Sequence, residues 1–271
     1  MKIPTSHPRY VSLLLREKLV KGWREGLVVP EGLIAHGRGE AFDYLLGEAS
    51  SAPALVAERA ATAVLLRARR PVISVNGNVA ALASREVVRL ANAIPARLEV
   101  NLFHRTEARA RLIAKKLRAE GATEVLGIHP DARIPGLESK RASSETEGIF
   151  RADVVLVPLE DGDRTEALVR MGKTVISIDL NPISRTSRRA SIPIVDELTR
   201  ALPNMEKFAR SLKDDPPETA RLVKTYRKSA NMNALYRFLD WRLKDLRAGS
   251  EVVGGKPRGP HRASNRRDSR D

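Results

Sequence analysis

Three features of the sequence predict an α/β fold, a mostly parallel sheet with helices on both faces. Short apolar, β-branched runs recur along the chain, as at 71–75 and 153–159. Segments with apolar residues at helical spacing alternate with them, the pattern of parallel strands joined by crossover helices. Polar residues and glycines gather where a strand hands over to a helix, which in an open α/β sheet is the rim where ligands bind. A core at 71–212 is expected, with an N-terminal helical segment at 1–70, a C-terminal helix at 213–248 and a disordered basic tail at 249–271.

Residues 9–24 read as an amphipathic helix. Tyr10, Leu13, Leu14, Val20 and Trp23 can share its apolar face, and Arg16 is placed to reach a cleft. After a break at 26–29 comes the block 32–48, the densest group of chemically capable side chains. His36, Arg38, Glu40 and Asp43 fall within eight positions, interleaved with Gly37 and Gly39. Such glycines let a ligand approach backbone and side chains closely. The plain alternative is a loop followed by a helix with surface charges. On a helix, Glu40 and Asp43 share a face beside Tyr44. A single His with distant acids lacks zinc-ligand spacing. An Ala-rich helix is expected over 53–69.

The run 71–75 reads as a buried strand, stopped by Asn76-Gly77-Asn78. Val79, Leu82, Ala83, Val87, Leu90, Ala91 and Ile94 then follow at helical spacing. Helix N-terminal amides carry partial positive charge and suit anions; the competing reading is an ordinary βα corner. A second strand at 97–103 ends in His104-Arg105-Thr106, with Thr106 as the cap of a helix to about residue 120. His104 reads either as a ligand contact or as a turn residue. A short strand is expected at 124–128. The polar stretch 129–150, with Pro130, Pro135 and Gly136, reads as a functional lid or a mobile linker whose Lys140 and Arg141 can close over phosphates.

Residues 153–159 form the clearest buried parallel strand, and 173–180 the next. In the loop that follows, Asp179 and Asn181 suit ribose hydroxyls or the adenine amine. Arg185 and Thr186 suit phosphate oxygens. A last strand at 192–195 leads to a helix that Asp196 can cap. Residues 218–247 form one long helix or two, with an apolar face for the body or a second subunit.

The 271-residue chain has no Cys, which excludes disulfides and thiolate chemistry, and no Gln. With 30% charged residues, the basic ones mostly Arg, this suggests a thermophile. No apolar run is long enough to cross a bilayer and the N-terminus has no secretory core, so a cytoplasmic location is expected. A net charge of +15 suits either nucleic acid or small anions such as nucleotides and phosphorylated acids. Aromatic residues at 4% are thin for base stacking, which disfavours nucleic acid.

Residues 6–10, the block 32–48, 71–82 and 179–187 together resemble the archaeal phosphopantothenate synthetases, also called 4-phosphopantoate–β-alanine ligases, over roughly residues 4–245. The resemblance implies a Rossmann-like core, a homodimer and an ATP-dependent ligase of coenzyme A biosynthesis. The reaction it implies joins 4-phosphopantoate to β-alanine through an acyl adenylate and releases AMP and diphosphate. Carried over by motif, Arg16, Arg38, Asp179, Leu180, Asn181, Arg185, Thr186, Glu197 and Leu198 are expected ATP contacts. Mg²⁺ is expected with the nucleotide and no metal site on the protein itself. His36, Arg38, Glu40 and His104 are candidate catalytic groups, the base being His36, Glu40 or His104. Asn76, Gly77, Asn78 and Arg105 are candidates for holding phosphopantoate or the adenylate. The alternative is a nucleic-acid- or nucleotide-binding protein without ligase activity.

Overall fold

The computed structural model describes residues 3–248; the tail expected at 249–271 lies outside the described residues. Its centre is a six-stranded, wholly parallel sheet. The strands are β1 (Pro71–Val75), β2 (Arg97–Val100), β3 (Val125–Leu126), β6 (Val154–Pro158), β7 (Thr174–Ile178) and β8 (Ile192–Ile194), in the order β3-β2-β1-β6-β7-β8. Between them β4 (Ala132–Arg133) and β5 (Ser143–Ser144) make a small antiparallel pair. Strands buried on both faces need continuous apolar runs, and β1 and β6 are buried at every residue.

Alternation along the strands divides the core. Ile73, Val75, Leu98, Val100, Leu156 and Ile176 face one layer, built from α1 (Tyr10–Arg24), α3 (Ala52–Arg67), α4 (Gly77–Ala93), α5 (Glu107–Ala119) and α8 (Leu198–Lys213). Val72, Val155, Val157 and Val175 face the other, which holds α6 (Gly162–Arg170) and residues of the 129–150 stretch. The crossover helices after β1 and β6 thus lie on opposite faces, which places the topological switch point between β1 and β6. α7 (Arg185–Arg189) follows β7, and α9 (Pro216–Thr225) and α10 (Lys228–Arg247) close the described residues as two helices rather than one.

Two expectations need correction here. The buried face of α1 is Ser12, Leu15, Leu19 and Gly22, whereas Leu14 and Trp23 are exposed. Three consecutive leucines left the face ambiguous. The face is set by Gly22, where a Cβ would stand 2.6 Å from the Cβ of Ala81, so α1 crosses α4 in near backbone contact.

The stretch 129–150 is neither lid nor linker. Glu99, fully buried on β2, accepts hydrogen bonds from the amides of Glu145 (3.1 Å) and Ile149 (2.5 Å). Glu145 in turn accepts from the amides of Gly127 (2.7 Å) and His129 (3.0 Å). Asn101 donates to the carbonyls of Arg141 and Ser143, and Lys173 to those of Phe150 and Ala152. Ile134, Leu137, Ala142 and Ile149 fill the second core layer.

Burial pushes the Glu99 carboxyl up to about 7, against the two amides that favour its charged form. A carboxyl raised in this way contributes stability below its unfolded value of 4.5 and loses it as pH rises through about 7. Denaturant midpoints are expected to fall between about pH 5 and about pH 8, and Glu99→Gln is expected to flatten that fall. Glu99→Ala strands two buried amides and is expected to cost about 3 kcal/mol at the acid end. A midpoint indifferent to both pH and substitution would refute this role.

Candidate active site

The gap between β1 and β6 is spanned by one side chain. Asn76 accepts from the amide of Val79 (3.1 Å), capping α4, and donates to the carbonyls of Pro158 (3.2 Å) and Leu159 (2.9 Å) just beyond β6. Leu159 sits in the left-handed region at φ 51°, a conformation that costs a non-glycine residue about 1–2 kcal/mol. Its amide bonds to the carbonyl of Ile178 on β7 (3.0 Å), so the turned backbone is held from both sides. At Gly77 a Cβ would run into the carbonyl of Leu27 and lie 2.5 Å from Nη2 of Arg109, so only glycine fits. Asn78 donates to the carbonyl of Gly32 (2.8 Å), which ties α4 to α2 (Pro30–Leu46).

The whole block from Pro30 to Leu46 is helix, with Pro30 at its first position in place of the loop considered for its start. α2 runs along the C-terminal rim of the sheet. Gly32 meets Asn78 after β1; a Cβ on Gly39 would stand 3.7 Å from Leu180 after β7; Asp43 accepts from Arg200 (3.1 and 2.6 Å), which also bonds Asp196 after β8. Eleven helical steps from Gly32 to Asp43 rise about 16 Å, matching the roughly 14 Å across three strand intervals from β1 to β8. Phe42 and Leu46 pack with Leu180, Val195, Met232 and Leu235 in a third apolar cluster beneath α10.

The expected face of α2 is present. Glu40 and Asp43 are both buried, and Tyr44 donates to Glu40 (2.6 Å). Arg16 of α1 grips the Glu40 carboxylate with two bonds (3.0 and 2.8 Å). Burial opposes the charge on Glu40, but Arg16 and Tyr44 outweigh it and hold the carboxyl below its usual range. His36 is half-buried one turn earlier. Burial lowers its pKa, Glu40 opposes that and Arg16 adds to it, so the imidazole is neutral near pH 7. Arg38 is exposed on the same stretch of helix.

Beyond β7, Asp179 accepts from the amide of Asn181 (3.0 Å) and the hydroxyl of Ser184 (2.5 Å), while burial raises its pKa. Asn181 accepts from the amide of Ile183 (3.0 Å), and Leu180 is buried. Thr186 donates to the carbonyl of Glu160 (2.7 Å), and exposed Arg185 bonds Glu166 (3.2 Å). A Cβ on Gly162 would lie 2.5 Å from that of Arg185, so the starts of α6 and α7 touch. Glu197, rather than Asp196, caps α8 by accepting from the amide of Thr199 (2.6 Å), and Leu198 is buried behind it. Asp196 stands one residue before the cap and accepts instead from the amide of Glu197 (2.7 Å), from Ser50 and from Arg200.

The rim thus brings together Arg16, His36, Arg38, Glu40, Asn76, Gly77, Asn78, Asp179–Thr186 and Glu197–Leu198. His104 and Arg105 stand to the outer side, after β2. His104 is exposed, with Nε2 3.9 Å from Glu31. Arg105 donates to the carbonyl of Ile128 (3.0 Å). Sequence reasoning passed over Arg109, Glu160 and Arg164. Arg164 on α6 is fully buried, pairs with Glu160 and donates to Ser74 (3.1 Å), and Glu160 also pairs with Arg141. The four-residue spacing of Glu160 and Arg164 was the available signal. Among the described residues no group of three or more His, Asp or Glu is placed to hold a metal ion.

Asn76→Ala removes a helix cap and two bonds across the gap and is expected to cost about 3 kcal/mol. Asn76→Asp keeps the cap but sets a carboxylate against two carbonyls. Chemical denaturation should find it no more stable than the Ala variant; recovery to wild-type stability would mean that capping is the whole role.

The sequence matches the family described as phosphopantothenate/pantothenate synthetase over residues 53–241. It is 54% identical over 251 residues to the 4-phosphopantoate–beta-alanine ligase of Thermococcus onnurineus (strain NA1), covering 92% of this chain and 96% of that one. It is 56% identical over 247 residues to the enzyme of the same name from Methanosarcina mazei, covering 91% and 97%. To that of Thermococcus kodakarensis it is 59% identical over 215 residues, covering 79% and 82%. Similar to these proteins along most of its length, the chain belongs to the phosphopantothenate/pantothenate synthetase family.

Proposed function

We propose that this chain is an ATP-dependent, AMP-forming ligase of coenzyme A biosynthesis, joining 4-phosphopantoate to β-alanine to give 4'-phosphopantothenate. The observation that carries this reading is the meeting, on one sheet rim, of four stretches distant in sequence, in a chain whose relatives bear that activity's name. A carboxylate is a poor acyl donor until it gains a leaving group. In the first step the phosphopantoate carboxylate attacks the α-phosphorus of ATP and the bond to diphosphate breaks. In the second the β-alanine amine attacks the acyl carbon of the adenylate and AMP leaves with the bonding electrons.

Charge gathers at the α-phosphate in the first step, and guanidinium groups stabilise it. Arg38, one residue before the contact of Gly39 with Leu180, and Arg185, at the start of α7, are both exposed and serve this role. Mg²⁺ arriving with the ATP phosphates adds to the neutralisation. Asp179 and Asn181 take the ribose or adenine end. Arg16 acts through Glu40, fixing α1 against α2. The β-alanine ammonium must lose a proton before attack. Glu40 is ionised, triply bonded and weakly basic, whereas His36 is neutral with a free lone pair near pH 7, so His36 is the base.

The ligase reading requires AMP and diphosphate to appear only when both organic substrates are supplied. Salt-sensitive RNA binding without turnover would sink it. His36→Gln is expected to lower β-alanine-dependent AMP release by about 10²-fold or more while phosphopantoate-dependent ATP–diphosphate exchange persists. In the wild type kcat should rise with pH through a midpoint below 6.5, the ordinary histidine value. Loss of exchange in the same variant would take His36 out of the base role. Exposed Ile34, Leu45, Ile183 and Trp241 support a homodimer. Light scattering should give twice the 29.9 kDa chain mass, and a fully active monomer would remove the dimer.

A further inference from the structure

α3 packs against β8 and α8 with a face of buried alanines, and one carboxyl is set among them. Glu58 is fully buried, and neither of its oxygens accepts a hydrogen bond. A lone carboxylate is expensive to remove from water, and an acid so placed takes up a proton instead.

What Glu58 faces is a second carboxyl. Asp196, in the turn between β8 and α8, lies against it, with Asn204 of α8 alongside. Asp196 is as deeply buried but well supplied with donors. One of its oxygens accepts from the amide of Glu197 (2.7 Å) and from Arg200 (3.0 and 2.8 Å), the other from Ser50 (2.5 Å). One proton between two such carboxyls belongs on the one without other donors, so Glu58 is the acid and Asp196 the carboxylate. Burial and the facing Asp196 both push the Glu58 carboxyl far up.

Asp196 passes the constraint on. With the guanidinium that bonds Asp196, Arg200 also grips Asp43 of α2 (3.1 and 2.6 Å), the helix that carries His36, Arg38 and Glu40. The amide of Glu197 opens the 197–198 turn, where nucleotide contacts are expected. Asp43 and Glu197 are the next charges out, both beside Arg200. On the other sides of α3, Glu218 of α9 is taken by Arg59 (3.0 Å), and α10 presents Asn231, bonded to the carbonyl of Pro53 (3.1 Å).

We infer that Glu58 is a positioning residue acting as a neutral acid: it donates its proton to Asp196, which then holds Arg200, Asp43 and the start of α8 in place around the nucleotide. That a nucleotide sits there rests on the ligase reading. An apolar side chain at 58 would leave Asp196 a donor short, and an ionised one would repel it and compete for Arg200.

The test compares wild type, Glu58→Gln and Glu58→Met. The three side chains are of similar length, and only Met lacks a donor at neutral pH. Glu58→Gln is expected to keep KM for ATP within about twofold. Glu58→Met is expected to raise it about tenfold, the worth of a hydrogen bond to a charged acceptor, with kcat changed less. In wild type, kcat/KM for ATP and the denaturant midpoint are expected to fall together as pH rises toward about 9. A carboxyl raised above its unfolded value of 4.5 contributes stability below that value and loses it as pH rises through the raised one. Glu58→Gln should flatten both falls. Equal KM for ATP in the two variants, whether low or high, would overturn the inference, as would alkaline falls of wild-type size in Glu58→Gln. Should Glu58→Met fail to fold, the pH profiles of wild type and Glu58→Gln decide. A wild type without turnover would refute the ligase, and the denaturant profiles would still decide the proton. Turnover in wild type with both variants alike and unchanged profiles would refute the proton and leave the ligase standing.

Discussion

Parallel strands that send their helices to opposite faces leave a gap at their ends, and here the width of that gap is set by the side-chain amide of Asn76. Its oxygen fixes the start of α4 and its nitrogen fixes the backbone leaving β6. The left-handed Leu159 turns two successive carbonyls outward, one to Asn76 and the next, from Glu160, to Thr186. One set of bonds therefore runs from α4 through the end of β6 to α7. The two halves of the rim, around β1 and around β7, are built on the same piece of backbone. A strained residue persists only where its surroundings over-determine it, and Leu159 meets that condition on both sides.

The second constraint is α2, a helix laid along the rim. Its three fixings, at Asn78, Leu180 and Arg200, come from the ends of three different strands. Glycine inside a helix costs about 1 kcal/mol relative to alanine. Gly32 is placed where a side chain would run into Asn78 and separate α2 from the chain beneath it, so there that cost goes toward close approach, whereas a Cβ on Gly39 would meet Leu180 at ordinary contact distance. His36 and Arg38 lie between the two glycines. Their position over the sheet edge follows from the contacts on either side of them.

The sheet was legible because its strands are buried on both faces and read as continuous Val and Ile runs. The rim was legible because polar residues sit at the strand ends, as at Asn76, Asp179 and Asn181. What the sequence concealed has a common cause. The stretch 129–150 has few apolar anchors of its own, and it is ordered by Glu99, Asn101 and Lys173, residues far away in sequence whose bonds go to main-chain groups. No local pattern records such a clamp. The face of α1 was misread for a related reason: Gly22 contributes no hydrophobicity, yet its lack of a side chain decides which way the helix turns. Arg109 and Arg164 lie on helices where charge ordinarily means a solvated face. The start of α2 stayed open to a loop reading because its glycines suggest a turn, whereas tertiary contacts carry the helix through them.

The buried charges at the switch point bear on why the rim has this form. Removing a guanidinium from water is expensive, and a buried ion pair is commonly no more stabilising than apolar side chains of the same volume. Stability alone is therefore a weak account of Arg164, fully buried between Glu160 and Ser74, or of Arg141 sharing that carboxylate. Apolar residues would fill the space under the 129–150 stretch, but they would not hold Glu160 at the end of β6 and would give the crevice no donors. Glu160 neutralises part of the charge, fixes the direction of both guanidiniums and, through its carbonyl, receives Thr186 from the other half of the rim. The cluster is best understood as a means of keeping cations oriented and largely dry at one point. A hydrogen bond to an anion is strongest under those conditions, because preoriented donors in a low-dielectric setting need little reorganisation when the ligand arrives.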